Sequence, residues 1–472
     1  MFGLEKLFGK EIEDVALSKD RIAEMLKVSP EALASFEQAY AKAAIDEDEQ
    51  GGLFCTNSRQ AAAKNKKLTG NEPEAVSKLV ERIVVELAAQ TPVYVYDGKQ
   101  GTIVKPTALP ESTSFVSNTD ISKVPTELRP QLSGNLMQVD IAGLSSESLM
   151  FYWDMFQKAK DPKKKKFAYD HFRQGLDILD LDALTYAIIG TNRNSMGYWL
   201  PPLVEACKGT TFFRIPATVV ARVPMPLLQL TRLEYHELTP TTIQIVDDWA
   251  HRVFRLDDAK DYFVKTGTYS SKFDFRNCHI HGEKEVQELG EYLLYIHFQA
   301  LQMAGPLSKP RIYGVSTTNE WVVREFIPDL ENNPCIYHGL PLHTEYRVFV
   351  DCDTKDVIGI SPYWEPETML KRFGGEEDAN SPHQMHDYVI YKANEEALMR
   401  RYYENKDSVV DHIREILPQL DLHGQWSIDV MQNGNDFYLI DMAIAENSAF
   451  YNCVPEHLRR PSTEDWMPKI ES

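Results

Sequence analysis

The sequence predicts an α+β fold in its second half and a mainly helical region before it. From about Gly209 onward, short β-branched segments alternate with helical ones, and tight turns join several of the short segments, as in antiparallel strand pairs. Before that point, apolar residues recur mainly at helical spacing. We therefore divide the chain into a small helical docking unit (1–50), a mainly helical extension with a β-hairpin (51–208) and an α+β domain (209–472).

The first half carries no motif that indicates chemistry. Residues 18–42 predict two short helices whose sequence is typical of a helix-turn-helix motif. The second helix is acidic and would be repelled by DNA phosphates, so a helical docking unit is favoured over a DNA-binding one. Residues 76–87 have the period of an amphipathic helix, and residues 93–104 predict a hairpin around an Asp-Gly turn. The lysine run 163–166 is interpreted as solvated charge.

The second half alternates strands and helices. Strands, which are rich in β-branched and aromatic residues, are predicted at 215–223, 262–265, 321–327, 346–350, 357–360, 426–431 and 437–440. Helices are predicted at 241–254, 284–302 and 394–417. The polar segment 374–386 predicts a loop, which is either a lid over an acceptor site or an ordinary surface loop.

Composition and charge exclude several classes of protein. No apolar run reaches the roughly 18 residues of a membrane-spanning helix, and the N-terminus lacks the apolar stretch of a signal peptide. The net charge of -20 opposes binding to nucleic-acid phosphates. The six cysteines are scattered without metal-binding spacing, which is typical of reduced thiols. We therefore expect a cytoplasmic protein that binds neither membranes nor nucleic acids.

Two lysines flank a small, hydroxyl-rich loop. Lys265 ends a predicted strand, the loop reads Thr-Gly-Thr-Tyr-Ser-Ser, and Lys272 follows it. Backbone N–H groups of such a loop can cradle phosphates, and lysines act on them as point charges. A surface hairpin with two solvated lysines is the alternative interpretation.

Two further strands carry charged residues among apolar ones. Arg324 and Glu325 lie in the strand 321–327, an arrangement that an exposed edge strand would also explain. Glu345 and Arg347 are two residues apart, so they share one face of their strand while the bulky residues between and after them face the core. A surface ion pair is the alternative for this second pair.

The last predicted hairpin carries four oxygen-bearing side chains. Asp429 lies within its first strand, Asp441 ends the second, and Glu446 and Asn447 follow in the next turn. Carboxylates among apolar strand residues are costly to bury unless they are paired or bound to a cation. Such oxygens suit Mg²⁺, which takes few carboxylates and keeps substrate phosphates as further ligands. The sequence therefore predicts a magnesium site here, with an ordinary strand-end Asp pair as the alternative.

Taken in order, these segments resemble the ATP-grasp superfamily, in which two α+β subdomains clasp ATP. The resemblance covers about residues 209–460. The chain looks most like a clade common in phages and bacteria, named for one arginine and two lysines, at residues 265–272, 323–327, 345–350, 361–364, 426–429 and 439–443. It is more distantly similar to the eukaryotic cell-division-cycle ATP-grasp family, which helps to assemble a translation initiation factor.

The resemblance implies a role for each candidate residue. The implied nucleotide contacts are Lys265, Lys272, Arg324, Glu325, Ile327 and Glu345. The two lysines would contact ATP phosphates, Glu325 would lie at the adenine and ribose hinge, and Arg347 with Lys272 would act on the transferred phosphate. The implied Mg²⁺ ligands are Asp429, Asp441 and Asn447, with Glu446 as an alternative. Lys265 stands where the pattern has Arg, which keeps the charge but loses the bidentate fork.

The resemblance further implies ATP-dependent carboxylate–amine ligation through an acylphosphate, with ATP and Mg²⁺ as cofactors and a peptide or protein as a possible acceptor. Such chemistry depends on positioning and charge neutralisation more than on covalent catalysis. The alternative, from another class, is an ATP-binding assembly factor that docks a protein partner without ligase turnover. Phosphotransfer to a small molecule would use the same ATP site and stays open.

Overall fold

The structure, a computed structural model, describes residues 74–89, 91–98, 101–103, 152, 154–178, 186, 189–232, 238, 240–307, 318–373 and 382–460. The docking unit predicted for residues 1–50 lies outside the described residues, as do residues 374–381 of the predicted loop. None of the helices in the described part of the chain is long and apolar enough to cross a membrane.

Helices are distributed along the whole described chain. They are α1 (Glu74–Ala89), α2 (Pro162–Ile178), α3 (Met196–Ala206), α4 (Met225–Gln229), α5 (Pro240–Phe254), α6 (Gly282–Gln287), α7 (Leu289–Leu307), α8 (Pro366–Phe373) and α9 (Pro382–Ile416). The amphipathic pattern predicted for α1 is confirmed, because Val80, Ile83, Val84 and Leu87 are all buried.

The strands alternate with these helices as an α+β fold requires. They are β1 (Val93–Tyr96), β2 (Gly101–Ile103), β3 (Phe213–Arg214), β4 (Thr218–Arg222), β5 (Tyr262–Thr266), β6 (His279–Ile280), β7 (Glu320–Glu325), β8 (Cys335–Ile336), β9 (Leu340–Pro341), β10 (Thr344–Asp351), β11 (Asp356–Pro362), β12 (Gln425–Asn433) and β13 (Asp436–Ile444).

Among the described residues, six strands form one antiparallel sheet in the order β2-β1-β4-β7-β5-β6. The predicted hairpin is confirmed as β1 and β2, but its loop is longer than a two-residue turn, because β1 ends at Tyr96 and β2 begins at Gly101. Val93 to Tyr96 pair with β4, so the hairpin extends the sheet of the second half. The domain boundary suggested at residue 209 therefore passes through this sheet.

A second sheet, again counted over the described residues, has the order β11-β10-β12-β13-β3. Its pairs are antiparallel except for β13 with β3. β8 and β9 form a separate two-stranded ribbon. The hairpins predicted at β10–β11 and β12–β13 are confirmed. A hydrophobic core extends behind both sheets and includes the fully buried Trp249, Trp321 and Trp426.

Several predicted boundaries differ from the structure for identifiable reasons. The strand predicted at 215–223 begins only at Thr218, since Pro216 has no N–H to give to a ladder. The helix predicted at 284–302 is two helices. The Asp247 carboxylate accepts the Glu291 N–H at 2.9 Å and so caps the first turn of α7. The α9 helix begins at Pro382, so the end of the predicted 374–386 loop is helical.

Candidate functional site

A cavity of about 280 Å³ lies between the two sheets. The first sheet contributes β5 and β7, and the second contributes β10, β12 and β13. The residues predicted from sequence that line this cavity are Lys265, Lys272, Arg324, Glu325, Ile327, Glu345, Arg347, Asp429 and Asp441. Residues far apart in the chain thus meet at one cleft: Asp429 lies 164 positions and Asp441 176 positions after Lys265.

The register of the second sheet places four polar residues in one transverse row. Ser361, Arg347, Asp429 and Asp441 are successive register partners on β11, β10, β12 and β13. Partners in register put their side chains on the same face of a sheet. The arginine and the two aspartates of this row therefore face the cavity side by side.

The two sheets meet across the cavity through Lys265. Its ammonium lies 3.2 Å from Asp441 Oδ1, and only 4% of the lysine side chain is exposed against 42% of the aspartate. Burial lowers the pKa of Lys265 below its usual range, and Asp441 offsets part of that shift. The lysine thus depends on a carboxylate partner for its charge, and a phosphate could take that place.

Arg347 and Asp429 form a bidentate ion pair. The guanidinium Nε and Nη2 atoms lie 2.8 and 2.6 Å from the two carboxylate oxygens. Both side chains are nearly buried. Burial opposes the charge of Arg347, but Asp429 outweighs that effect and raises the arginine's pKa. The sequence offered a surface pair between Glu345 and Arg347 as an alternative; the arginine instead pairs with Asp429 inside the cleft.

Tyr363, which the sequence did not single out by itself, lies between two cations. Lys272 Nζ is 4.2 Å from the centre of its ring, and the Arg347 guanidinium carbon is 4.9 Å away. An aromatic face attracts both cations and so keeps two like charges close together. Burial alone would lower the pKa of Lys272, but Tyr363 and Glu345 raise it.

Glu345 is buried beside this pair of cations and is 6% exposed. Its Oε2 atom makes no hydrogen bond within the described residues. Burial raises the pKa of Glu345 to about 7, with Asp429 adding to the shift while Lys272 opposes it. This carboxyl group can therefore change its charge near neutral pH.

Arg324 ties the two sheets together. Its guanidinium donates to the Ile440 carbonyl at 2.5 Å and to the Leu439 carbonyl at 3.4 Å, and its Nε donates to Thr218 Oγ1. Burial lowers the pKa of Arg324 to about 10. The exposed edge strand considered as an alternative is wrong, since β7 lies between β4 and β5.

The loop between the two lysines uses much of its backbone internally. The Gly267 N–H donates to the Glu320 carbonyl, and the Thr268 and Tyr269 N–H groups donate to Thr266 Oγ1. These three groups are therefore not available as the phosphate cradle that the sequence suggested. Ser271 has a φ of 55°, and the neighbouring Lys272 side chain lines the cavity.

Apolar side chains also line the cavity. They are Pro216, Phe263, Phe273, Phe275, Phe326, Leu340, Pro341, Met431 and Ile440. The sequence contained a signal for two of them. Phe263 is two residues from Lys265 and Met431 is two residues from Asp429, so each shares a strand face with a predicted site residue.

Glu446 and Asn447 do not line the cavity. They form a short 3₁₀ turn after β13. Asn447 Oδ1 accepts a hydrogen bond of 2.9 Å from Asn194 Nδ2, and Glu446 Oε1 lies 3.7 Å from Lys166 Nζ. Lys166, the last residue of the lysine run that was interpreted as solvated charge, is therefore within ion-pair distance of Glu446, a predicted metal ligand.

The carboxylates fit a magnesium ion held jointly with phosphates rather than a closed protein cage. No group of three or more His, Cys, Asp or Glu side chains is placed to hold a metal within the described residues. Asp429 and Asp441 are nevertheless register partners that face the cavity. Mg²⁺ commonly binds through one or two carboxylates and completes its shell with water and phosphate oxygens.

Comparison with known proteins gives weak structural similarities. No protein-family model matches the chain, and no curated protein matches it significantly. Cdc123 from Schizosaccharomyces pombe is 12% identical with a TM-score of 0.31, over 54% of this chain and 83% of that chain. A C-terminally truncated Cdc123 from the same organism is 13% identical with a TM-score of 0.31, over 60% and 96%. The function proposed below rests on the residues of the site itself.

Proposed function

We propose that the cleft binds Mg·ATP and that the protein is an ATP-dependent carboxylate–amine ligase of the ATP-grasp type. The observation that carries this proposal is the mixed lining of the cavity. Its phenylalanines and aliphatic residues suit a purine base, and its four cationic side chains suit a triphosphate. The four cations are Lys265, Lys272, Arg324 and Arg347.

The ion pairs of the cleft suggest how ATP would enter it. Lys265 is paired with Asp441 and Arg347 with Asp429. Phosphate oxygens would pair with the two cations, and the two carboxylates would coordinate a divalent metal ion instead. Each buried charge would then exchange one partner of opposite sign for another, so that none is left uncompensated.

Asp429 and Asp441 would hold the Mg²⁺, whereas Glu446 and Asn447, in the turn after β13, lie outside the cavity lining. When bound, the ion supplies neutralisation of the phosphate charge. The protein's own contribution is orientation. Before ATP binds, Asp429 and the face of Tyr363 orient the Arg347 guanidinium toward the cavity, and the Tyr363 contact would remain after Asp429 turns to the metal ion.

The ligation itself has two steps. A carboxylate oxygen of the acceptor attacks the γ-phosphorus of ATP, ADP leaves, and an acylphosphate forms. An amine then attacks the acyl carbon, phosphate leaves, and the amine proton passes to solvent or to a nearby base. Lys272 and Arg347 would stabilise the negative charge on the transferred phosphoryl group.

Calorimetric titration with ATP, with and without Mg²⁺, tests the nucleotide site. We expect binding in the micromolar to millimolar range that strengthens with Mg²⁺, and absence of binding at millimolar ATP would refute the proposal.

Ligase chemistry is tested separately. Hydroxylamine serves as the amine and a panel of amino acids and peptides as carboxylates, with ADP release and hydroxamate formation as readouts.

The outcome of the second assay separates the candidate functions. ADP release that depends on a carboxylate and yields hydroxamate supports the ligase. Phosphate transferred stably to a small molecule, without trapping by hydroxylamine, would indicate phosphotransfer. Tight ATP binding without ADP release under any of these conditions would instead favour an assembly factor that uses ATP as a structural ligand.

A further inference from the structure

A short segment of the first half of the chain, residues 194–197, contacts both sheets at one side of the cleft. We call it the bridge segment. Its last two residues are the first two of α3, and none of its residues lines the cavity. The sequence offered no chemistry before residue 209, so this segment has no role in the function proposed so far.

Toward the first sheet, the bridge segment holds the loop that separates the two lysines. Ser195 Oγ donates to Glu320 Oε2 at 2.5 Å and lies 2.7 Å from Thr318 Oγ1. The Gly197 N–H donates to the same Glu320 oxygen at 2.8 Å. Met196 donates its N–H to the Gly267 carbonyl, and Gly267 donates to the Glu320 carbonyl. The loop residue Gly267, two residues after Lys265, is thus held on both of its backbone polar groups.

The packing at this contact is close enough to require glycine twice. A Cβ atom on Gly267 would overlap Ser195 Oγ and Thr318 Oγ1, and a Cβ atom on Gly197 would overlap the Glu320 carboxylate. Backbone and side chains therefore approach each other closely from both sides. The bridge segment and the loop of residues 266–271, which we call the lysine loop, therefore have little room to move independently.

Toward the second sheet, the contact is made by Asn194. Its Oδ1 accepts the Ile444 N–H at 2.8 Å, and its Nδ2 donates to Asn447 Oδ1 at 2.9 Å. Its own carbonyl accepts the Trp199 indole N–H at 3.2 Å. The two ends of the side-chain amide are thus bound to the last residue of β13, three residues after Asp441, and to the turn that follows it.

We propose that the bridge segment, through Asn194 at one end and the Ser195–Glu320 contact at the other, is a positioning device of the nucleotide site. It joins the strand end that carries Lys265 to the strand end that carries Asp441, and so fixes the separation between the cations and carboxylates that would hold ATP. The inference rests on the proposed function, since it assigns these residues to the same site. Asn194 and Ser195 are positioning residues, because they act through Gly267, Glu320 and Asn447.

A link across a cleft has a property that a local packing contact lacks. Cutting either end abolishes the link, so cutting both ends adds no further loss. Two independent contacts would instead contribute additively. A double-mutant cycle between the two ends therefore distinguishes a positioning link from ordinary packing.

The experiment uses the full-length protein with Asn194→Leu, Glu320→Leu and the double variant, and ATP with Mg²⁺ as the titrant. Asn194→Leu removes both side-chain hydrogen bonds, and Glu320→Leu removes the acceptor at the other end. We expect each single variant to weaken ATP binding at least tenfold and the double variant to be no weaker than the weaker single one. Ser195→Ala, a milder cut at the same end, replaces Glu320→Leu if that variant does not fold.

Asn394→Leu is the matched control, since the Asn394 amide donates to a carbonyl one turn back in α9, away from the cleft. It should bind ATP like the wild type. Additive losses in the cycle, or full ATP affinity in the single variants, would overturn the positioning role while leaving the nucleotide site intact. If the wild-type protein itself binds no ATP, the proposed function fails first and the inference fails with it.

Discussion

Asp441 is the residue at which the structure most changes an expectation. The sequence alone suggested that Asp441 would suffer repulsion from Asp429 and Glu446, so that Asp441→Asn would leave the empty protein equally or more stable. In the structure Asp441 is instead ion-paired with Lys265, which is almost fully buried. Removing the carboxylate charge would leave that ammonium without a partner, and such buried charges are costly.

We therefore predict that Asp441→Asn lowers the stability of the ATP-free protein by about 1–2 kcal/mol, less than for a fully buried pair because Asp441 is partly exposed. It should also reduce the stabilisation by Mg·ATP. Thermal melts with and without Mg·ATP measure both effects. Asp436→Asn is the control on the same strand, since its partner Arg214 is exposed, unlike the buried Lys265, and the pair should contribute less than about 1 kcal/mol.

Glu345 gives a prediction about pH. Its pKa rises from 4.5 to about 7 on folding, so the folded protein binds more protons than the unfolded chain between these values. The contribution of Glu345 to the free energy of unfolding is then fully present below about pH 4.5. It is lost as the pH rises to about 7, by at most roughly 3 kcal/mol.

Replacing Glu345 with Gln keeps the size and removes the titration. Glu345→Gln should therefore be more stable than the wild type at pH 8 and should lose this part of the pH dependence, as measured by urea unfolding from pH 4 to 8. Glu367→Gln, at an exposed position on α8, should follow the wild-type curve. Parallel curves for Glu345→Gln and the wild type would contradict the assignment.

At the scale of the element, the lysine loop is shaped by its neighbours as much as by its own residues. Thr266 Oγ1 accepts two N–H groups of the loop, and Glu320 and the bridge segment hold Gly267. The local sequence predicts a small, hydroxyl-rich loop with backbone N–H groups available to phosphates, but these bonds occupy several of them. Its contribution to a phosphate site thus lies in where it places Lys272, and less in backbone donors.

Gly267→Ala tests this view of the loop. The added methyl group would overlap Ser195 and Thr318, so the loop or the bridge segment must shift, at a cost of about 1–3 kcal/mol. We expect ATP affinity to fall at least tenfold in titration calorimetry. Gly424→Ala is the control: with a φ of 80° and open space around it, it should lose stability through backbone strain alone and keep ATP affinity.

At the scale of the whole molecule, the helical region before residue 209 and the α+β region after it share one core. β1 pairs with β4 over four residues, α1 packs on α5, and the Trp249 indole donates to Thr91 Oγ1. From sequence alone, residues 1 to about 150 seemed dispensable for nucleotide binding. The structure limits that expectation to the residues before α1.

Two truncations separate these possibilities. A protein beginning at residue 70 keeps α1 and the β1–β2 hairpin and should melt and bind ATP like the full chain. A protein beginning at residue 209 loses them together with α3, which exposes the edge of β4 and part of the core, so it should be unfolded or aggregated. Circular dichroism, size-exclusion chromatography and ATP titration give the comparison. A stable, ATP-binding 209–472 fragment would show that the second half folds alone.

The sequence by itself determined the local features of this protein. Periodicity predicted α1, α5 and the β12–β13 hairpin, because alternation and helical spacing are properties of neighbouring residues. The resemblance of the ordered motifs to a known superfamily implied a nucleotide site, and nine of the residues it implied line one cavity; their role in binding stays a prediction. The helix and hairpin predictions succeeded because strand faces and turns are decided within a few residues of the chain.

Only the tertiary structure decided which charges meet. The row formed by Arg347, Asp429 and Asp441 follows from strand register, and the Lys265–Asp441 pair joins residues from different sheets. Register and sheet packing depend on the whole core, so no local pattern encodes them. The same reason explains the bridge segment: Asn194 and Ser195 carry no motif, and their contacts with Asn447 and Glu320 exist because the fold brings the two halves of the chain together.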